Sequence, residues 1–207
     1  MTEIEEKKKQ VIGLYGEMRL SMELHEFGWQ VHRAYIDEGI DFVITKYYCP
    51  KCKKYSNQWI RYAKYNGKKR KCVTNLCEHC QKTELAVISR YLQVKTSEGV
   101  STRKTNVRKF SFHPKIRYNM GEEIFYVWIA VFDTPREKLC HFYILNTKEV
   151  SKFDNMSLPT YQITDNQKTT LTINEFGEVL NKGANYDYSC FNAKFFQNWK
   201  ALEIEME

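Results

Sequence analysis

Gly39 to Ile44 reads GIDFVI, and Arg90 to Ser97 reads RYLQVKTS. Both are strand-like, and each carries a charge, Asp41 or Lys95, among residues that belong in a core. Burying an unpaired charge is expensive, so two such runs in one chain call for partners. Gln93 and Lys95 are two residues apart and leave a strand on the same face. If the strand bearing Asp41 lies beside them, an acid, an amide and an ammonium meet. The fold turns on that pairing, because it makes sheet neighbours of two segments that are distant in sequence.

The segments around these runs supply the rest of a mixed α/β domain. A helix is predicted from about Glu3 to Phe27. Its rows are Val11, Leu14, Tyr15, Met18 and Met22, and, beside them, Gly13, Glu17, Leu20, Leu24 and Phe27. Gly28 is placed to stop it. Glu17 is the odd carboxylate in the second row. Trp29 to Ile36 alternates as a strand, Asp37-Glu38-Gly39 turns, and Ile40 to Tyr48 forms the next strand. Glu84 to Thr96 is the strand that should pair with it. Ser97 to Met120 reads as a polar, basic loop. Strands follow at Glu123 to Asp133 and Cys140 to Val150, with Pro135 at the turn between them and a short helix as the alternative for Thr147 to Val150. Ser157 to Asn174 is ambiguous, and Phe191, Phe195, Trp199 and Leu202 share a helical register.

Between the two charged runs lie Cys49-Pro50-Lys51-Cys52 and Cys77-Glu78-His79-Cys80, two C-x2-C knuckles separated by 24 residues. Paired knuckles aim four thiolates at one point, which suits a closed, tetrahedral, structural Zn²⁺ site. Asn66-Gly67 is a two-residue hairpin signal between them, so residues 49–80 read as an inserted zinc ribbon within a domain formed by 1–48 and 81–207. Cys72 and His79 are weaker ligand candidates. Cys140 and Cys190 read as core thiols.

The ribbon is basic, with Lys68, Lys69 and Arg70 beside the turn, and the loop after Lys95 adds Arg103, Lys104, Arg108 and Lys109. With a net charge of +7, these residues suit phosphate contacts, and a nucleic acid is the expected partner. No apolar run reaches the length of a membrane span, and the N-terminus MTEIEEKKKQ is unlike a signal peptide. Seven cysteines in such a chain suit a metal better than disulfides. A cytoplasmic protein without membrane partners is the expectation.

The set of Glu17 in YGEMRL, Asp41 in GIDFVI, and Gln93 with Lys95 in QVK resembles the PD-(D/E)XK nuclease superfamily, whose fold is restriction-endonuclease-like. The resemblance covers about Ile12 to Thr96. It implies an α/β core with a mixed central sheet flanked by helices. It also implies Mg²⁺- or Mn²⁺-dependent hydrolysis of DNA by a metal-activated water, in a restriction-type enzyme of host defence working as a homodimer. Asp41 would bind the metal, Gln93 would be a neutral ligand, Lys95 would act on the water or the phosphate, and Glu17 would assist. Gln93 stands where many members carry Glu, and Gly39-Ile40 replaces the proline-containing lead-in. Asp37 is a second acid, better read as a turn residue. The alternatives are a catalytically decayed nucleic-acid-binding module and a repair or junction-resolving nuclease.

Overall fold

In the computed structural model, the described residues are 2–33, 39–56, 59–101, 106–113, 124–134, 137–153, 169–181, 188 and 191–203. The first helix, α1 (Glu3–Glu26), starts with a capping box. Glu5 N–H donates to the Thr2 hydroxyl, and the Glu5 carboxylate accepts from Thr2 N–H at 2.8 Å. It ends where Gly28 takes a φ of 79° and its N–H reaches the His25 carbonyl.

The central sheet contains β1 (Gln30–Arg33), β2 (Phe42–Cys49), β6 (Ala86–Glu98), β9 (Ile124–Asp133) and β10 (Lys138–Asn146), in the order β1-β2-β6-β9-β10. The short β3 (Lys54–Tyr55) pairs with the far end of β2. All pairings are antiparallel except β6 with β9, which makes the sheet mixed. Phe42 pairs with Leu92, so the two charged runs of the sequence are indeed sheet neighbours.

Nine of the ten residues of β9 are buried, because both faces of the sheet are covered there. Phe125, Val127, Ile129 and Val131 enter one core with Leu20 and Leu24 of α1 and Trp199 of the 3-10 turn Trp199–Leu202. Tyr126, Trp128, Ala130 and Phe132 enter the other. That second core is closed by Phe110 and Phe112 of β8 (Val107–Phe112), Leu171 and Ile173 of β11 (Thr169–Asn174), Val150 of α2 (Thr147–Phe153) and Phe191 of α3 (Phe191–Phe195). β11, β8 and β7 (Val100–Ser101) form a separate three-stranded sheet.

Several expectations are corrected here. The segment after Ser97 is not simply a loop: β6 runs on to Glu98, and β7 and β8 follow, because Phe110 and Phe112 alternate inward. The ambiguous Ser157 to Asn174 ends in a strand. The C-terminal register breaks into two short turns, α3 and the 3-10 turn, where Gln197 takes a φ of 48°. Thr147 onward is helical, capped by the Asn146 side chain accepting from Glu149 N–H. Asp37, Arg103, Lys104, Pro135 and Cys190 lie outside the described residues.

The rows on α1 are also revised. Ile12, Gly16, Leu20 and Leu24 face the sheet, while Val11, Leu14, Met18 and Met22 face outward. Close packing sets this choice. A Cβ on Gly16 would lie 2.0 Å from Thr96 Oγ1 and 2.7 Å from its Cγ2, so only glycine lets the helix approach β6. Gly16→Ala is expected to destabilise by about 1–3 kcal/mol through overpacking, more than the ~1 kcal/mol that alanine adds to helix propensity. Urea unfolding measures the loss, and Thr96→Ala in the same chain should recover part of it.

Lys46 on β2 joins distant parts of the chain. Its ammonium donates to the Phe27 carbonyl and to Glu203 Oε1, both at 2.8 Å. It also lies over the rings of Trp29 and Tyr55, 5.3 and 4.2 Å from their centroids.

Candidate functional site

The cysteine centre grows from the end of β2. Cys49 is the last residue of that strand, and the chain turns at once into the first knuckle. Lys53 N–H returns to the Cys49 carbonyl at 2.8 Å, with Lys53 at a φ of 52°. The second knuckle repeats this device: Gln81 N–H meets the Cys77 carbonyl at 2.8 Å, with Gln81 at 54°. Two like turns thus present Cys49, Cys52, Cys77 and Cys80, whose sulfurs all lie within 4.8 Å of one another. Cys49 to Cys80 and Cys52 to Cys77 are each 3.9 Å apart. A tetrahedral ion with Zn–S bonds of about 2.3 Å spaces its sulfurs about 3.8 Å apart, whereas a disulfide would need about 2 Å.

Hydrogen bonding sets the thiols apart from one another. Cys80 is pulled down to about 5, first by its hydrogen bond with the Thr83 side chain and then by the Lys82 backbone. Cys52 is pushed up to about 12, first by its hydrogen bond to Cys80. Four sulfurs this close cannot all be thiolates without a positive charge among them, and the donor set fits a metal such as zinc. Cys72 lies on β5 outside the cluster, and His79 is outside it too. Cys140 packs against the first core, where burial pushes its thiol up.

Between the knuckles, β4 (Trp59–Tyr65) and β5 (Lys68–Thr74) pair only with each other, from Trp59 opposite Thr74 to Tyr65 opposite Lys68. Asn66 and Gly67 both take positive φ, 49° and 74°, as the tight hairpin turn requires. Lys68, Lys69, Arg70 and Lys71 are exposed. Of the other basic candidates, Lys109 is exposed on β8. Arg108 is committed to the fold, donating to the Asp133 carbonyl at 2.7 Å and covering the Phe132 ring.

The second site lies where β2 begins. The register of β2 on β6 starts at Phe42 opposite Leu92, so the last residues of β6 have β9 on one side and no partner from β2 on the other. Gly39, at a φ of 88°, turns the incoming chain. Asp41 N–H donates to the Leu92 carbonyl at 2.8 Å, and Asp41 Oδ2 accepts from Val94 N–H at 2.5 Å. The carboxylate replaces the carbonyl that a continued strand would have offered. Gln93, wholly buried, donates from Nε2 to the Gly39 carbonyl at 2.8 Å. A carbonyl can only accept, so the amide oxygen of Gln93 faces away from Gly39.

Gln93 and Lys95 stand opposite Tyr126 and Trp128 in the parallel register and share their face. Lys95 is half-buried, and its ammonium has no hydrogen bond or ion pair among the described residues. The sheet therefore brings Asp41 and Gln93 into one hydrogen-bonded knot around Gly39 and Val94, with Lys95 two residues along. Glu17 does not join that knot. It sits on the α1 side of the sheet, where Arg33 of β1 donates to its Oε2 at 2.9 Å, beside Phe42. Sequence reasoning missed Arg33 as its partner, since a four-residue strand gives little sign of where its last side chain lands.

On the α1 side, the last residues of β6 border a groove of about 900 Å³. Thr96, Ser97 and Glu98 line it, with Lys8 and Lys9 of α1 and Ser111 and His113 after them. Lys8 reaches Glu98 at 3.0 Å across it. Among the described residues, no helix is long and apolar enough to cross a membrane.

No protein-family model matches this chain, and no solved structure gives a significant match. The chain is similar to the beta subunit of the type II restriction enzyme BslI from Bacillus sp. (strain NEB-606), being 36% identical over 89 residues. That stretch is 42% of this chain but only 26% of the BslI subunit, so the likeness joins a large part of one protein to about a quarter of the other.

Proposed function

We propose that the protein is a metal-dependent DNA endonuclease of restriction type, serving host defence. In this reading, residues 1–48 and 81–207 form a restriction-endonuclease-like nuclease domain, and 49–80 form a zinc ribbon that grips the duplex. The observation that carries it is that β2 and β6 hold Asp41 and Gln93 around Gly39 and Val94, with Lys95 two residues along on the face of Gln93. The likeness to a subunit of a type II restriction enzyme supports it independently.

Asp41 has one carboxylate oxygen spent on Val94, which leaves Oδ1 for a cation. Mg²⁺ commonly takes one or two carboxylates and completes its shell with water and substrate phosphate. Asp41 Oδ1 and the amide oxygen of Gln93 would hold it, and the ion would supply an activated water at the scissile phosphate. The Lys95 ammonium would orient that water and offset charge developing on the phosphate. Glu17 would assist only after exchanging its Arg33 partner. The exposed Lys68, Lys69, Arg70 and Lys109 would contact phosphates.

The test is cleavage of duplex DNA with Mg²⁺ or Mn²⁺ against a chelated control. Lys95→Ala is expected to lose about 10²-fold or more while its thermal unfolding is unchanged. Cleavage by that variant at the parental rate would remove the lysine's role. A second reading, a nuclease fold that binds DNA without cutting it, is favoured by the complete burial of Gln93 and its bond to Gly39. Binding without cleavage under every divalent cation would decide for it.

A further inference from the structure

The β4–β5 hairpin holds most of the chain's excess charge. Residues 59–74 contain six of the 32 lysines and arginines and none of the 25 acids, so without them the net charge would fall from +7 to +1. Among the described residues, no other strand joins the hairpin. Asn66, Gly67, Lys68, Lys69, Arg70 and Lys71 are all exposed. A Cβ on Gly67 would meet nothing within 4 Å, so open space surrounds the tip.

Exposure of four consecutive strand residues has a second meaning. Successive side chains leave a strand on opposite faces. Lys68 and Arg70 therefore point one way, and Lys69 and Lys71 the other. Both faces of this end of the hairpin are open, and both are cationic. In the register, Arg61 stands opposite Cys72 and Lys64 opposite Lys69, so β4 adds one basic position to each face.

A ribbon lying along a single phosphate strand needs cations on one face only. Cations on two faces suit a cleft with a negative wall on each side. The major groove of B-form DNA is such a cleft, about 12 Å wide and 8.5 Å deep, and it admits a two-stranded ribbon. A sheet with side chains on both faces is about 10 Å thick, the spacing at which sheets stack, so the width fits. At a rise of about 3.3 Å per residue, the depth takes in the turn and Lys68, Lys69 and Arg70 behind it. The minor groove, about 6 Å wide, is too narrow. The deep, narrow major groove of A-form RNA is closed to side chains.

We propose that the hairpin enters the major groove of duplex DNA tip-first, with Lys68 and Arg70 against one phosphate wall and Lys69 and Lys71 against the other. The inference rests on DNA as the partner in the reading above, and not on the cleavage chemistry.

Anisotropy of a short labelled duplex, titrated with the full chain in buffer free of chelator, Mg²⁺ and Mn²⁺, tests it apart from cutting. The DNA duplex is expected to bind at least about 10-fold more tightly than the same sequence as double-stranded RNA. Bulky 5-substituents on the pyrimidines, which fill the major groove, should weaken binding by about 10-fold or more. Distamycin, which fills the minor groove, should not displace the protein. Lys68→Ala with Arg70→Ala, and separately Lys69→Ala with Lys71→Ala, should each lower the slope of log affinity against log salt by about 2, with thermal unfolding unchanged. Lys7→Ala, at an exposed position on α1, should alter none of these. A slope that responds to only one of the two pairs means a hairpin lying flat on one strand, and overturns the proposal. Release by distamycin, equal binding of the RNA duplex, or no binding of DNA by the parent overturns it too. A chain that cuts DNA yet is indifferent to both pairs fails this inference alone, whereas one that binds as expected and never cuts fails only the catalytic reading.

Discussion

Replacing Cys77 by serine, or dialysing the protein against a strong chelator, is expected to unfold residues 49–80 while the central sheet stays folded. Among the described residues, the cysteine module shows only a small core of its own. Its buried apolar cluster consists of Cys49, Cys77 and Leu85, with Tyr47, Cys52 and Cys80 packed against it. Among the described residues the β4–β5 hairpin pairs with nothing else, and an isolated two-stranded hairpin is marginal in water. With zinc in the cluster, the favourable term would come from the metal, which contributes about 10–16 kcal/mol in small zinc modules. Elemental analysis should find one zinc per chain. Hydrogen exchange should show protection lost from β4 and β5 on chelation but kept in β6 and β9. Because the ligands bind as thiolates, protons compete with the metal, so affinity should fall as pH falls. Protection in the hairpin that persists after complete metal removal would show that the module stands by packing alone.

Asp41 allows charge to be separated from structure. Asp41→Asn keeps a side-chain oxygen to accept from Val94 N–H but removes the charge that would bind a cation. DNA cleavage is expected to fall by at least about 10³-fold, since an effect of several kcal/mol on the transition state corresponds to that factor. The melting temperature should barely change. Asp41→Ala should lose cleavage equally and in addition leave Val94 N–H without its acceptor, at a cost of about 1–3 kcal/mol. Parallel cleavage assays and thermal melts separate the two effects. An Asn variant that cuts as well as the parent would leave Asp41 with a structural role only.

The legible parts of this chain were those set by local chemistry. Both knuckles and the Asn66-Gly67 turn are written in residue types that tolerate the backbone they need, and their spacing survives folding unchanged. The neighbouring of GIDFVI and QVK was legible because two charges in apolar runs need a common solution. The second sheet was not, since β8 alternates Phe110 and Phe112 with basic residues and its partner β11 lies far downstream. Charge alone gave no sign that the Arg108 guanidinium also donates to the Asp133 carbonyl. Glu17 was found as an unusual carboxylate, but its partner was not. The two faces of α1 are nearly equal in hydrophobicity, so only the approach of Gly16 to Thr96 decides which one turns inward.

Lys46 gives this architecture a means of communication. Its ammonium is shared by the end of the first helix, the segment leading out of the first knuckle and the chain's last described turn. Disturbing the thiolate cluster would shift Tyr55, and the same cation would pass that strain to Phe27 and Glu203. A change at the cysteine cluster would thereby reach the end of α1 and the turn at Glu203.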